Sequence, residues 1–231
     1  MSRVTYDAGN LTIEVDGLDT VAAALGDLKK KTPAAAKVAI NATARQARKL
    51  MIAKAKARYA VNAAGRRHLK DLVQRKKASN TSLSAELHIA KMRNDLGYFQ
   101  HRPTERFTGR EVLHHAPKYV KARVLKASSM AALTGNANMS KGFLVQFKSS
   151  HIGMVQRQIG SSSSHTVTER GRPRWRNKDG KVEKLVTMGS PSASAMHSTV
   201  WPMVEPEVSE YLQDRLMEQT ERVLARAARR K

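Results

Sequence analysis

The chain has 231 residues, of which 42 are Lys or Arg and 19 are Asp or Glu, for a formal net charge of +23. That imbalance implies a polyanionic neighbour, whether nucleic acid, a membrane surface or an acidic protein face, and the lack of cysteine excludes disulfides, thiolate metal sites and cysteine nucleophiles. Aromatic residues are only 5% of the total, so a core must come from Ala, Val, Leu, Ile and Met, and no run of about 18 apolar residues is present to cross a membrane.

The opening MSRVTYD carries no apolar segment, so no secretory signal is expected. Residues 1–16 read as a strand pair or one broken strand, because Leu11, Ile13 and Val15 alternate with Thr12, Glu14 and Asp16. Asp16 and Gly17 turn the chain. Residues 18–31 then form a short helix with Leu18, Val21, Ala22, Leu25 and Leu28 on one face, and Lys29, Lys30 and Lys31 at the negative end of its dipole. Thr32 as N-cap and Pro33 at the first helical position open a long helix over 34–59. It contains no Gly or Pro and runs for about seven turns. Its stripe of Ala36, Ile40, Ala47, Leu50, Met51 and Ala55 is narrow and built from small side chains, which suits close packing on a helix or sheet of this or a neighbouring subunit.

A second short helix is expected from 63 or 65 to about 75, with Leu69, Leu72 and Val73 inward. Between Lys29 and Lys77 there are sixteen Lys or Arg and one acid, Asp71. Leu83, Ala85, Leu87 and Ile89 alternate as a strand. Residues 93–117 are loop-rich, and Val120, Ala122 and Val124 alternate weakly. Residues 126–142 read as a loop with one helical turn. The segments at 142–147 and 151–159 predict a hairpin, turning at Lys148, Ser149 and Ser150. Residues 160–182 form an exposed insertion, with a serine run and the basic RGRPRWR at 170–176. Residues 184–188 give one more strand and 189–193 a loop. Glu205, Pro206 and Glu207 open a final helix, whose inward side is traced by Val208, Tyr211, Leu212, Arg215, Leu216, Gln219, Val223 and Leu224. Met51, Met154 and Met217 are expected in the core. The order of elements predicts an α+β fold, a long N-terminal helix and a C-terminal helix packed on a mostly antiparallel sheet.

Reactive constellations are hard to find. No acid cluster, HExxH, GxxxxGK[ST], GxGxxG or GxSxG pattern occurs. His114 and His115 are adjacent, and neighbouring strand side chains diverge rather than chelate. No catalytic residue, metal or cofactor is expected, and the chain is not read as an enzyme. The basic helix invites a phosphate-binding reading, but charge alone supports only non-specific attraction, and a solvated face or one that meets an acidic partner is the plainer account.

Four passages, in order, resemble the minor tail protein Z family of lambdoid phages and prophages, also described as tail-completion proteins. They are VDGLDTVAAAL at 15–25; the Ala/Arg/Lys-rich helix over 33–59 followed by LKDLVQRKKA at 69–78; FLVQF at 143–147 with MVQR at 154–157; and KLV at 184–186 with GSPS at 189–192 before a C-terminal helix. Together they span nearly the whole chain. The loops at 93–117 and 160–182 look longer than the family's.

The resemblance implies a single tail-completion-like domain over 1–231, with 160–182 as an insertion. It also implies a structural virion protein acting in tail completion and head–tail joining, as one of several copies, six by tail symmetry, in a ring at the head-proximal end of the tail. Expected partners are the chain itself and the tail terminator, tail-tube and head-closure proteins, close to packaged DNA and away from membrane, with host cytoplasm as the place of assembly. The expected assembly interface is Arg45, Arg48, Lys49, Lys56, Arg66 and Arg67. Arg170, Arg172, Arg174, Trp175 and Arg176 form an expected contact loop. The alternative reading is a non-specific DNA-binding protein.

Overall fold

A computed structural model describes residues 2–7, 9–15, 18–70, 72–89, 94–108, 118–135, 139–160 and 183–229. The fold is α+β, with the long N-terminal helix, the C-terminal helix and the largely antiparallel sheets that the sequence predicts. Contacts gather the chain into two compact units. One holds Met1–Ala57, Arg67–Met92 and Pro191–Lys231; the other holds Arg58–Arg66 and Arg93–Ser190.

In the first unit, β1 (Ser2–Asp7) and β2 (Asn10–Val15) form a hairpin. β3 (Leu72–Lys76) and β4 (Ser84–Ile89) complete an antiparallel sheet in the order β1-β2-β4-β3. Alternation puts Val4, Leu11, Ile13, Ala85, Leu87 and Ile89 on the buried face. Against them lie Ala39, Ile40, Ala44, Ala47 and Met51 of α2 (Thr32–Arg58), and Val208 and Leu212 of the C-terminal helix. Trp201 joins this core and stacks on Tyr6 at 6.0 Å. Leu50, expected inward, is partly buried at its edge.

Several local expectations change here. The helix over 18–31 is α1 (Asp19–Leu25) followed by a 3-10 turn, Gly26–Lys31. Gly26 breaks it with φ +51°, a conformation that a side chain resists. Thr32 is not an N-cap. The preceding 3-10 turn already delivers the chain in helical geometry, and the buried Thr32 hydroxyl makes no hydrogen bond. The second helix, α3 (Ala63–His68), stops early. Residues that fit its inward face, Leu72 and Val73, instead lie in β3, where they give β4 the backbone partner its open edge requires. Residues 193–200, not read from sequence, form α4 (Ala193–Val200), capped by the Ser192 hydroxyl on the Ala195 amide at 3.1 Å. α5 (Glu205–Ala228) follows after the Trp201–Met203 turn. Met217 is 59% exposed on α5, a correction to its expected burial, and Leu224 is exposed as well. Met51 and Met154 are buried as expected.

The second unit is built from short strands. β5 (Asn94–Asp95) pairs with β13 (Gly189–Ser190), so part of the expected 189–193 loop is a strand. β6 (Gln100–Arg102), β8 (Lys121–Arg123) and β9 (Ala131–Ala132) form a three-stranded sheet. β7 (Phe107–Thr108), β10 (Phe143–Gln146), β11 (Ile152–Ile159) and β12 (Glu183–Thr187) form another. The hairpin expected at 142–159 is present, with Ser150 at φ +62° in its turn. Phe143, Val145 and Val155 make a small core. The helical turn expected within 126–142 is absent from its described residues, which include β9 instead.

Candidate interaction surfaces

α2 is a strong helix former because Ala dominates it. Its buried residues Ala35, Ala36, Ala39, Ile40, Thr43, Ala44, Ala47, Met51 and Ala55 recur every three or four positions, so the remaining arc faces away from the core. That helix carries seven basic residues and no acid. Arg45, Arg48 and Lys49 are exposed and Lys56 is half-buried. Offsets of three, four and eleven residues bring them to one side of the helix. Like charges at these spacings oppose helix formation by roughly 0.2–0.5 kcal/mol per pair. The Arg48 guanidinium donates to the Lys70 carbonyl at 2.8 Å. Among the described residues, no carboxylate lies within salt-bridge distance of Arg45, Lys49 or Lys56.

Arg66 and Arg67 are exposed on α3, a separate helix that straddles the boundary between the two units. The described geometry therefore joins only the four α2 residues into one face. Arg170, Arg172, Arg174, Trp175 and Arg176 lie outside the described residues, as do His114 and His115 and residues 161–182 of the expected insertion.

An opposite surface was not read from the sequence. On α5, Glu207, Glu210, Asp214, Met217, Glu221 and Leu224 are all exposed. Steps of three and four residues place them on one stripe. Glu205 and Glu207 are drawn to the first turn by the positive end of the helix dipole. Glu218 is spent within the helix: it pairs with Arg215, and with Arg222 at 2.5 Å. The hydrogen bond from Arg215 holds its carboxyl below the ordinary value. Glu207, Glu210, Asp214 and Glu221 have no basic partner within salt-bridge distance among the described residues. The spacing was legible; what hid the stripe was the assumption that Leu224 faced inward and Met217 was buried.

Comparison of the chain with family models, with curated proteins and with solved structures gave no match. The reading of these surfaces therefore rests on their own geometry.

A second unit feature invites chemistry and is better explained by structure. Asp95 is 7% exposed, and its Oδ1 accepts from the amides of Gly97 and Met154 at 2.7 and 2.8 Å. Its Oδ2 lies 3.1 Å from His151 Nε2. The carboxylate is thus committed to fastening the 3-10 turn at Leu96–Tyr98 to β11, and the His151 ring stacks on Phe147 at 5.9 Å. Among the described residues, no three His, Cys, Asp or Glu side chains gather to hold a metal ion, and no helix is long and apolar enough to cross a membrane.

Proposed function

We propose that the chain is a non-enzymatic assembly protein of a long-tailed phage, of the tail-completion type, which works as a ring of copies at the head-proximal end of the tail and helps join it to the DNA-filled head. The order of the four family-like passages supports this reading. The observation that carries it is the separation of charge on the first unit: a basic face on α2 and an acidic, partly apolar stripe on α5, where Arg45, Lys49 and Lys56 on the one and Glu207, Glu210, Asp214 and Glu221 on the other have no partner of opposite sign within salt-bridge distance among the described residues. Two unlike faces on one subunit are what a head-to-tail contact requires, and head-to-tail contacts form a ring where the rotation between neighbours closes. Complementary charge steers such contacts and fixes register. The same basic surplus suits acidic faces of terminator, tail-tube or head-closure proteins near packaged DNA.

The test is sedimentation of the purified chain at low and high salt. An oligomer that weakens with salt is expected. Reversing α2 with R45E/R48E/K49E gives folded monomers, as does reversing α5 with E207K/E210K/D214K, and an equal mixture of the two reassociates. In an infecting phage, the α2 reversal blocks joining of tails to heads. A chain that stays monomeric at every salt concentration, or normal phage yield from the α2 reversal, overturns the proposal.

A second reading, a non-specific DNA-binding protein, draws on α2 and the net charge of +23. Tight duplex binding with a steep dependence on salt, abolished by the α2 reversal, would favour it.

A further inference from the structure

We propose that the second unit holds a binding groove for a single strand of nucleic acid, with phosphate seated on the β6–β8 ladder and a base stacked on Tyr119. This inference does not depend on ring formation.

The register pairs Gln100 with Arg123, His101 with Ala122 and Arg102 with Lys121. Side chains alternate along a strand, so Gln100, Arg102, Lys121 and Arg123 share one face of the ladder. Arg102 and Lys121 are therefore like charges directly opposite each other, an arrangement that destabilises a sheet. Among the described residues, no carboxylate lies within salt-bridge distance of Arg102, Lys121 or Arg123, and the nearby acid Glu105 is taken by Lys118 at 2.6 Å. An anion placed between the two cations turns the repulsion into attraction.

Arg123 is prepared for the same ligand. Its Nε and Nη2 donate to Gln100 Oε1 at 2.8 and 2.6 Å, and Nη1 donates to the Lys126 carbonyl at 3.3 Å. These neutral acceptors fix the guanidinium without cancelling its charge. They use three of its five N–H donors, and the rest are left for the oxygens of a phosphate.

The ladder face opens on a hollow of about 670 Å³, lined by Gln100, His101, Arg102, Thr104 and Arg123 among others. An adjoining hollow of about 590 Å³ is lined by Arg102, Pro103, Thr104, Tyr119 and Lys121. Arg102 and Thr104 border both hollows, which therefore lie side by side along the ladder. Tyr119 is 49% exposed and belongs to the same alternation as Lys121 and Arg123; the Lys141 ammonium lies 5.4 Å over one face of its ring, which leaves the other for a base. A free carboxylate needs only the cations. Cations in line with an exposed ring match a chain that offers phosphates and bases together.

The experiment is fluorescence anisotropy of the full chain with a labelled oligothymidylate across a salt series, with inorganic phosphate and a duplex of equal length as competitors. Binding is expected to follow salt. R102A/K121A lowers the slope of log K against log salt by roughly 1.4, two phosphate contacts at about 0.7 each, and leaves the melting temperature unchanged or higher, because it removes the opposed charges. Y119A weakens binding roughly 5- to 150-fold. The charge-matched α2 control, R45A/K49A, leaves the affinity and the salt slope as they were. Four outcomes overturn the proposal: no binding of the oligomer, equal weakening by the α2 control, indifference to Y119A, or competition by inorganic phosphate or duplex as strong as by the unlabelled strand.

Discussion

His197 donates from Nε2 to the carbonyl oxygen of Leu69 across 3.4 Å, while its Nδ1 meets no hydrogen-bond partner. The side chain is fully buried on α4. The carbonyl can only accept, so Nε2 carries a proton; the buried Nδ1 has no acceptor for a second one, which favours the neutral ring. Burial lowers its pKa from 6.5 to about 4, against a smaller opposing pull from the Leu69 carbonyl. The folded pKa is thus below the unfolded one, and between them the unfolded chain binds more protons. The stabilisation is complete above pH 6.5 and is lost as pH falls towards 4, to the extent of about 3 kcal/mol. The urea midpoint of the wild-type chain should therefore fall steeply over this window. His197→Leu should flatten the fall even though it weakens the protein at neutral pH. Parallel profiles for the two chains would show that His197 is not the titrating group.

The elements that could be read from sequence are those whose signal is local and periodic. β4 alternates Ala85, Leu87 and Ile89 with polar residues and buries just those three. α2 declared itself through Ala content and the absence of breakers. β3 did not, because Leu69, Leu72 and Val73 fit a helical face equally well and only pairing with a strand downstream decides between the two. The basic face of α2 was legible because its members lie on one helix. The cationic ladder was not, since Arg102 and Lys121 are brought opposite by a register that no short-range pattern encodes.

Gly65 sets two effects against each other. It lies inside α3, where Ala is intrinsically better by roughly 1 kcal/mol. Yet a Cβ there would stand 2.3 Å from the Tyr98 carbonyl oxygen and 3.1 Å from the Val61 Cβ. The backbone cannot retreat easily, because Asn62 caps α3 through the Gly65 amide at 3.0 Å and also donates to the Gly97 carbonyl at 2.6 Å. Close approach wins. Gly65→Ala should lower the stability of the second unit by about 1–3 kcal/mol, and an unchanged or raised melting temperature would contradict this.

Asp95 predicts a local rather than a global signature. Asp95→Ala leaves the buried amides of Gly97 and Met154 without their acceptor, a loss of about 2–4 kcal/mol. Hydrogen exchange at those two amides should accelerate markedly. His151→Ala removes the contact at 3.1 Å, from a side chain 33% exposed, together with the ring's packing on Phe147 and Tyr98, so it should cost about 1–2 kcal/mol and leave both amides protected. Equal exchange in the two variants would mean that Asp95 acts through His151 and not on the backbone.

The small side chains of α2 fill the core that it shares with the sheet and α5, and the need for their small size can be challenged directly. Ala44 is fully buried in the core that includes Ile13, Leu87 and Val208. Ala44→Leu adds three carbons where interiors are already close-packed, and should destabilise the first unit by about 1–3 kcal/mol. Ala53 is exposed on the same helix, and Ala53→Leu changes the same atoms at little intrinsic helical cost. Comparing the two by urea unfolding separates packing from propensity: a loss at Ala44 alone means that the sheet needs α2 narrow, whereas equal losses would place the need for Ala in the helix itself.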